Sequence, residues 1–209
     1  MTATDPRVLR SRALILDAAA ARFITRGYVG TNVEDVAADA GVAKRTVFNV
    51  FQDKESLFRE VLRQSIELAE AFAAGLDDEL AEHTTTDALP GVARRLARTV
   101  LTGPVVPLRR LLVAEEARFG DLVAEYRRRA PERMLAAIAG LLERLGDSGA
   151  LDVPDPMAAA EHFAFLIMGA DLDRGMLGAP TPSVRRVEAR ATAGAAVFLR
   201  AYGTDRGPA

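Results

Sequence analysis

The chain has no cysteine, which excludes a disulfide framework, a thiolate metal site and a cysteine nucleophile. It has little excess charge. In 209 residues 27 Lys and Arg face 29 Asp and Glu, net −2, whereas a nonspecific binder of polyanions would be markedly basic. Long apolar runs are missing as well: the longest, Phe163 to Ala170, is far below the ~18 residues that span a membrane. The amino-terminal MTATDPRVLR carries no apolar segment of the secretory kind, so a cytoplasmic location is expected. Signatures of catalysis are absent in the same way, with no GxSxG, no GxGxxG, no phosphate-cradling loop ending in Gly-Lys and no HExxH; an enzyme therefore has nothing positive to rest on, and no cofactor is expected. His83 and His162 are the two histidines. Asp171 and Asp173 would point about 200° apart on a helix, so they make no metal site.

What the chain does have is helix-forming composition, 49% hydrophobic and 6% aromatic with abundant Ala, Leu, Arg and Glu. One stretch organises the rest: Thr31 to Phe58, TNVEDVAADAGVAKRTVFNVFQDKESLF. Thr31 and Glu34 have the spacing of a capping box, which predicts a helix just beyond Thr31 with Val33, Val36, Ala37 and Ala40 as its buried stripe. Gly41 stops it. The interval from Asp39 to Val42 is too short for a loop, so the next helix, Ala43 to Phe51, must leave at a steep angle, as in a helix-turn-helix. Ala37, Gly41 and Val47 fill the three tight positions of that motif: a close approach, a turn and an apolar plug.

At 100° per residue, Ala43, Val47, Val50 and Phe51 define the buried face of the second helix. Arg45 and Asn49 then point outward, flanked by Lys44 and Phe48 on one side and Thr46 on the other. Arginine matches guanine O6 and N7, and asparagine pairs with adenine, so this face has the chemistry to read base edges in a major groove. Phe48 suits a thymine methyl or a sugar, or packing against the following helix. Asp53 caps a fourth helix from Lys54, with Leu57, Phe58, Val61 and Leu62 inward. Its free N–H groups and the Lys54 ammonium form a phosphate clamp, a role Thr31 could share at the earlier helix start.

From Leu14 to Phe58 the chain resembles the tetracycline-repressor (TetR-like) family of transcriptional regulators. The resemblance rests on Gly27-Tyr28, Thr31, Gly41-Val42, Thr46-Val47-Phe48, Phe51, Lys54-Glu55 and Leu57-Phe58. Arg45 stands where that family often has a small residue, and Asn49-Val50 replaces a frequent histidine or tyrosine pair; both departures bear on which operator is read. Residues 1 to 58 hold eight Arg or Lys against seven Asp or Glu, leaving 19 against 22 in the remainder. The basic groups are placed rather than abundant. The only lysines are Lys44 and Lys54, and Arg7, Arg10 and Arg12 make a basic arm ahead of a first helix from Leu9 to Arg26, whose expected core is Leu16, Ala19, Ala20, Phe23 and Ile24.

Beyond Phe58 the fourth helix should continue through IELAEAFAAGLDDELAEH. A fifth follows the Thr84–Asp87 break to about Leu101. A sixth is expected from Val105 to Phe119, a seventh from Asp121 to Leu145 with a kink before Pro131, an eighth from Pro156 to Leu177 and a ninth from Ser183 to Tyr202. The eighth is apolar over most of its surface, and the ninth carries Ala191, Ala193, Gly194, Ala195 and Ala196. Such faces point to homodimerisation through the last two helices by four-helix packing, which the family resemblance also implies.

The expected fold is all-α, about nine helices, with a three-helix helix-turn-helix DNA-binding domain (1–58) and a helical effector-binding and dimerisation domain (59–209). The expected function is a regulator, a repressor, that binds a palindromic double-stranded operator as a homodimer. A small apolar effector, implied by the resemblance, would shift the spacing of its two reading heads and release it. Glu115, Arg118, Phe119 and His162 are the candidate effector contacts. Glu116, Asp171, Asp173 and Arg174 are weaker ones, since Asp171 and Arg174 have the i, i+3 spacing of an intrahelical salt bridge. The rival is a helical ligand-binding or interaction protein without specific DNA readout, against which the outward Lys44, Arg45 and Asn49 argue.

Overall fold

The computed structural model describes residues 6–81 and 85–204, with side chains described for 7–75 and 85–204. Thirteen helical segments follow in order: α1 Pro6–Gly30, α2 Val33–Asp39, α3 Lys44–Phe51, α4 Lys54–Ala81, a 3-10 turn Thr86–Ala88, α5 Leu89–Thr102, α6 Val105–Ala114, α7 Glu116–Arg129, α8 Pro131–Asp147, α9 Pro156–Ala164, a π turn Phe165–Gly169, α10 Ala170–Met176 and α11 Val184–Tyr202. α6 and α7 are joined through Glu115, whose N–H donates to Leu111 O and whose carbonyl accepts from Phe119 N. α9, the π turn and α10 likewise make one continuous rod. Counted so, with the kinks at Gly27 and Phe119 left inside α1 and α7, the described residues form nine rods, and the fold is all-α. The described residues contain no strand, only an isolated bridge between Leu151 and Gly203.

The chain divides into two compact units, and the division is not a single cut. One unit takes the residues up to Glu67 together with Arg110–Glu125, and the other takes Leu68–Arg109 and the chain from Tyr126 onward. The first unit is built around aromatic rings. Phe58 meets Phe23 and Tyr28 edge-on at 4.8 and 4.9 Å and lies tilted against Phe119 at 4.6 Å. Arg22 adds a two-point clamp from α1 to Asp39 at the end of α2, at 2.5 and 2.9 Å, and this holds the Asp39 carboxyl below its usual pKa.

The second unit is a helical core in which Phe163 packs edge-on against Phe198 at 5.2 Å and Phe198 stacks on Tyr202 at 4.4 Å. The end of α11 is fastened to the turn after α8 by Asp152 N donating to Tyr202 O at 2.7 Å. Asp171, with its side chain 4% exposed, accepts from Arg174 at 3.0 Å and Arg186 at 3.2 Å and forms an ion pair with Arg190 at 3.0 Å. The i, i+3 pair is present, and two arginines of α11 join it.

Several sequence expectations are corrected. Arg7, Arg10 and Arg12 are not an arm: Pro6 opens α1, a position that suits proline because the first N–H has no helical partner. Arg12 lies 5.0 Å from the Phe51 ring and pairs with Glu60. Ile24, expected in the core, is exposed, and Ile15 takes that place instead. The break expected at Gly120 is present one residue earlier, as a kink at Phe119 (φ −126, ψ 36) inside α7. The kink expected before Pro131 is a full helix end: the residue before a proline avoids the helical region, Ala130 sits at φ −120, ψ −80 and Pro131 starts α8. His83 lies outside the described residues.

Candidate nucleic-acid interface

The corner between α2 and α3 forms as the motif requires. Gly41 adopts φ 66. Around it Val42 N donates to Ala37 O at 3.0 Å and Gly41 N to Ala38 O at 3.1 Å, the paired bonds of a glycine-terminated helix end. Val47 plugs the corner and is buried along with Phe51, while Val50 is half-buried. Ala43 is an exception to the expected inner face. As the N-cap of α3 it has extended backbone, and it is exposed.

On the opposite face Arg45 and Asn49 are both exposed, one helical turn apart, and Thr46 is half-buried beside them. Phe48 is 38% exposed and Lys44 Nζ lies 5.6 Å from its ring centroid. Lys44 also pairs with Glu34 of α2, a hydrogen bond that holds the Glu34 carboxyl below its usual range. Glu34 therefore does not close a capping box. The N-cap of α2 is Asn32, with no side-chain bond, and Thr31 is 4% exposed with its hydroxyl donating to Gly27 O at 2.8 Å.

α3 and α4 are separated by two residues, Gln52 and Asp53. Gln52 has φ 63, ψ −56, and Asp53 N reaches back to Phe51 O at 2.7 Å. This is a γ-turn, a strained conformation for a side-chain-bearing residue and one with no signature in the sequence. Asp53 caps α4 as expected, accepting from Ser56 N at 2.7 Å, which lowers its carboxyl pKa. Lys54 is half-buried, with its ammonium 3.3 Å from Val29 O and 4.6 Å from the Tyr28 ring centroid. Burial and the nearby Arg118 charge lower its pKa.

The four candidate effector contacts are not brought together. Glu115 Oε1 accepts from Tyr28 N at 3.1 Å. Arg118 pairs with Glu55 at 3.1 Å and lies 4.5 Å from the Tyr28 ring centroid. Phe119 is 0% exposed, in the aromatic cluster of the first unit. His162 belongs to the second unit, where Nδ1 is 2.6 Å from Tyr202 Oη. Two recesses of that unit, of about 400 and 330 Å³, are lined by Glu143, Asp147 and Asp152 and by Asp171, Arg174 and Arg186 respectively, and none of the four lines either.

Residues 15–61 match the family model of bacterial regulatory proteins of the tetR family, and residues 87–204 match the C-terminal domain model of AefR-like transcriptional repressors. The chain belongs to the TetR family of transcriptional regulators. A TetR-family regulator from Mesorhizobium loti, of known structure, is 31% identical, with a TM-score of 0.80 over 96% of this chain and 100% of the relative. The solved flavonoid-responsive regulator FrrA is 27% identical with a TM-score of 0.63, covering 94% of this chain and 99% of that one. The uncharacterised HTH-type transcriptional regulator YvkB of Bacillus subtilis (strain 168) is 25% identical over 170 residues, 78% of this chain and 82% of its own length. TetR-family regulators bind DNA and dimerise. No helix among the described residues of this member is long and apolar enough to cross a membrane.

Proposed function

We propose that this TetR-family regulator is a cytoplasmic repressor that binds a palindromic operator as a homodimer and leaves it when a small apolar effector binds. The carrying observation is the exposed Arg45–Asn49 pair on α3, opposite a buried Val47 and Phe51. A rigid helix whose back is packed and whose front offers a guanidinium and a carboxamide suits direct readout in a major groove. Lys44, Thr46 and Phe48 border that face, and Lys54 stands at the start of α4 as the phosphate-side candidate; Thr31, buried with its hydroxyl on Gly27 O, does not serve that role.

Dimerisation through the last two rods is supported by the apolar surface they leave open. Met157, Phe165, Leu166 and Val197 are 44%, 69%, 42% and 42% exposed. An apolar effector accords with the flavonoid response named for the relative FrrA. Glu115, Arg118, Phe119 and His162 remain the side chains to probe for it. The test is a footprint and gel-shift titration of the full chain on the DNA upstream of its own coding region. Protection of an inverted repeat, with affinity falling steeply as salt rises, is the expected result; no protection there and no preference over unrelated duplex would refute the reading.

A further inference from the structure

Gly27 breaks α1 at φ 69, ψ 178, a backbone conformation that side-chain-bearing residues rarely adopt. The break takes the following N–H, that of Tyr28, out of the helix ladder. It is not left to water: Glu115 Oε1, from the junction of α6 and α7, accepts it at 3.1 Å. The neighbouring contacts converge on the same corner. Arg118 lies over the Tyr28 ring and pairs with Glu55, Arg59 pairs with Asp121 at 2.8 Å, and Phe119 meets Tyr28 edge-on at 5.3 Å. On the far side of the corner, Thr31 N donates to Tyr28 O at 3.4 Å and the Thr31 hydroxyl to Gly27 O, so residues 27–31 are wound tightly just ahead of α2. The direction of α2 sets that of α3 through the Gly41 corner.

We infer that Glu115 is a positioning residue for operator binding: by holding the Tyr28 N–H it fixes the turn between α1 and α2. The inference rests on the proposed regulator reading and adds the carboxylate oxygen that holds the turn ahead of the two helices presenting the reading face. The carboxylate is carried on chain that leaves the second unit after Arg109 and re-enters it at Tyr126, so rearrangement of α6 or α7 would act on it directly. Glu115 touches no part of the reading face. Its role is geometric, and the bond, not the charge, is what matters.

Two variants of the full chain separate bond from charge. Glu115→Asp keeps the charge but shortens the reach, while Glu115→Gln loses the charge but keeps an oxygen that accepts from the same N–H. Glu115→Asp should weaken operator binding about fivefold, the scale of one ordinary hydrogen bond, with an unchanged slope against log salt because no phosphate contact is lost. Glu115→Gln should bind like the parent. Hydrogen exchange in the free protein supplies a readout that needs no DNA: the Tyr28 amide should exchange faster in Glu115→Asp and remain protected in Glu115→Gln. If Glu115→Gln loses affinity while Glu115→Asp retains it, or if Tyr28 exchange is unchanged in both, the inference is overturned. A parent protein that ignores its upstream duplex sinks the proposed function instead, and the exchange pattern still decides whether Glu115 holds the turn.

Discussion

Arg45 and Lys54 differ in what surrounds them, and the difference predicts how their loss would read. Arg45 is exposed on the outer face of α3; Arg45→Ala should cost about 1–3 kcal/mol of operator binding and relax preference at one base pair per half-site. Lys54 stands at the start of α4, so Lys54→Ala should weaken all duplexes alike and reduce the salt slope by about one. A competition gel shift against single-base operator variants distinguishes them, and uniform losses in both would remove base reading from Arg45. Asp171 illustrates a different balance. Its side chain is 4% exposed, but its three arginine partners are 45–54% exposed and can rehydrate. Asp171→Ala should therefore cost about 1–3 kcal/mol of stability, below the toll of stranding a fully buried charge. Urea unfolding measures it.

Among the elements, the crossing of α11 over the π turn is the tightest. A Cβ added at Gly194 would lie 2.6 Å from Leu166 O and 2.8 Å from its carbonyl carbon, both main chain, so neither can swing aside. Alanine gains about 1 kcal/mol of helix propensity, yet the overlap with backbone outweighs it, and Gly194→Ala should destabilise the protein by about 1–3 kcal/mol. A Cβ added at Gly75 in α4 would meet nothing within 4 Å, so Gly75→Ala should do the reverse, gaining about 0.5–1 kcal/mol. Opposite shifts in the thermal midpoint are the expected pair of results. Helix ends set by a local residue were legible in the sequence: Asp53 before α4, Gly41 after α2, Ser183 before α11, where its hydroxyl accepts from Arg186 N. The π turn was not, because FLIMG reads as continuous apolar helix and only the approach of Gly194 marks where it widens.

For the molecule as a whole, the consequential feature is that Arg110–Glu125 completes the first unit, the one that holds the α2–α3 corner. Phe119 is 0% exposed among Tyr28 and Phe58, so Phe119→Ala should cost about 3–5 kcal/mol and a fragment ending at Glu67 should unfold more readily than the full chain, as circular dichroism would record. Acid should loosen the ion pairs together. The Arg partners of Asp39, Glu55, Glu70 and Asp121 depress those carboxyl pKa values, so their stabilisation is present above the ordinary carboxylate range near pH 4 and is lost as pH falls through the lower folded values. Because these groups are solvent-accessible, added salt should blunt the effect. Burial raises the Tyr126 phenol pKa; its contribution is present below about pH 10 and is lost as pH rises through the raised folded value. Thermal midpoints across pH and ionic strength test both limbs.

Local rules in the chain were enough for the helices, the steep corner at Gly41 and the outward turn of Arg45 and Asn49, because capping, glycine geometry and 100° periodicity act over a few neighbouring residues. The same stretch carried the family resemblance that the comparisons bear out. It took the folded packing to bring Glu115, Arg118 and Phe119 into the first unit, to engage Glu34 with Lys44 instead of a helix start, and to gather three arginines on Asp171. Apart from the i, i+3 pair of Asp171 with Arg174, which local spacing does show, those partners lie from 10 to 87 residues apart in the chain, and side-chain bonds over such separations are set by packing, which no local pattern encodes.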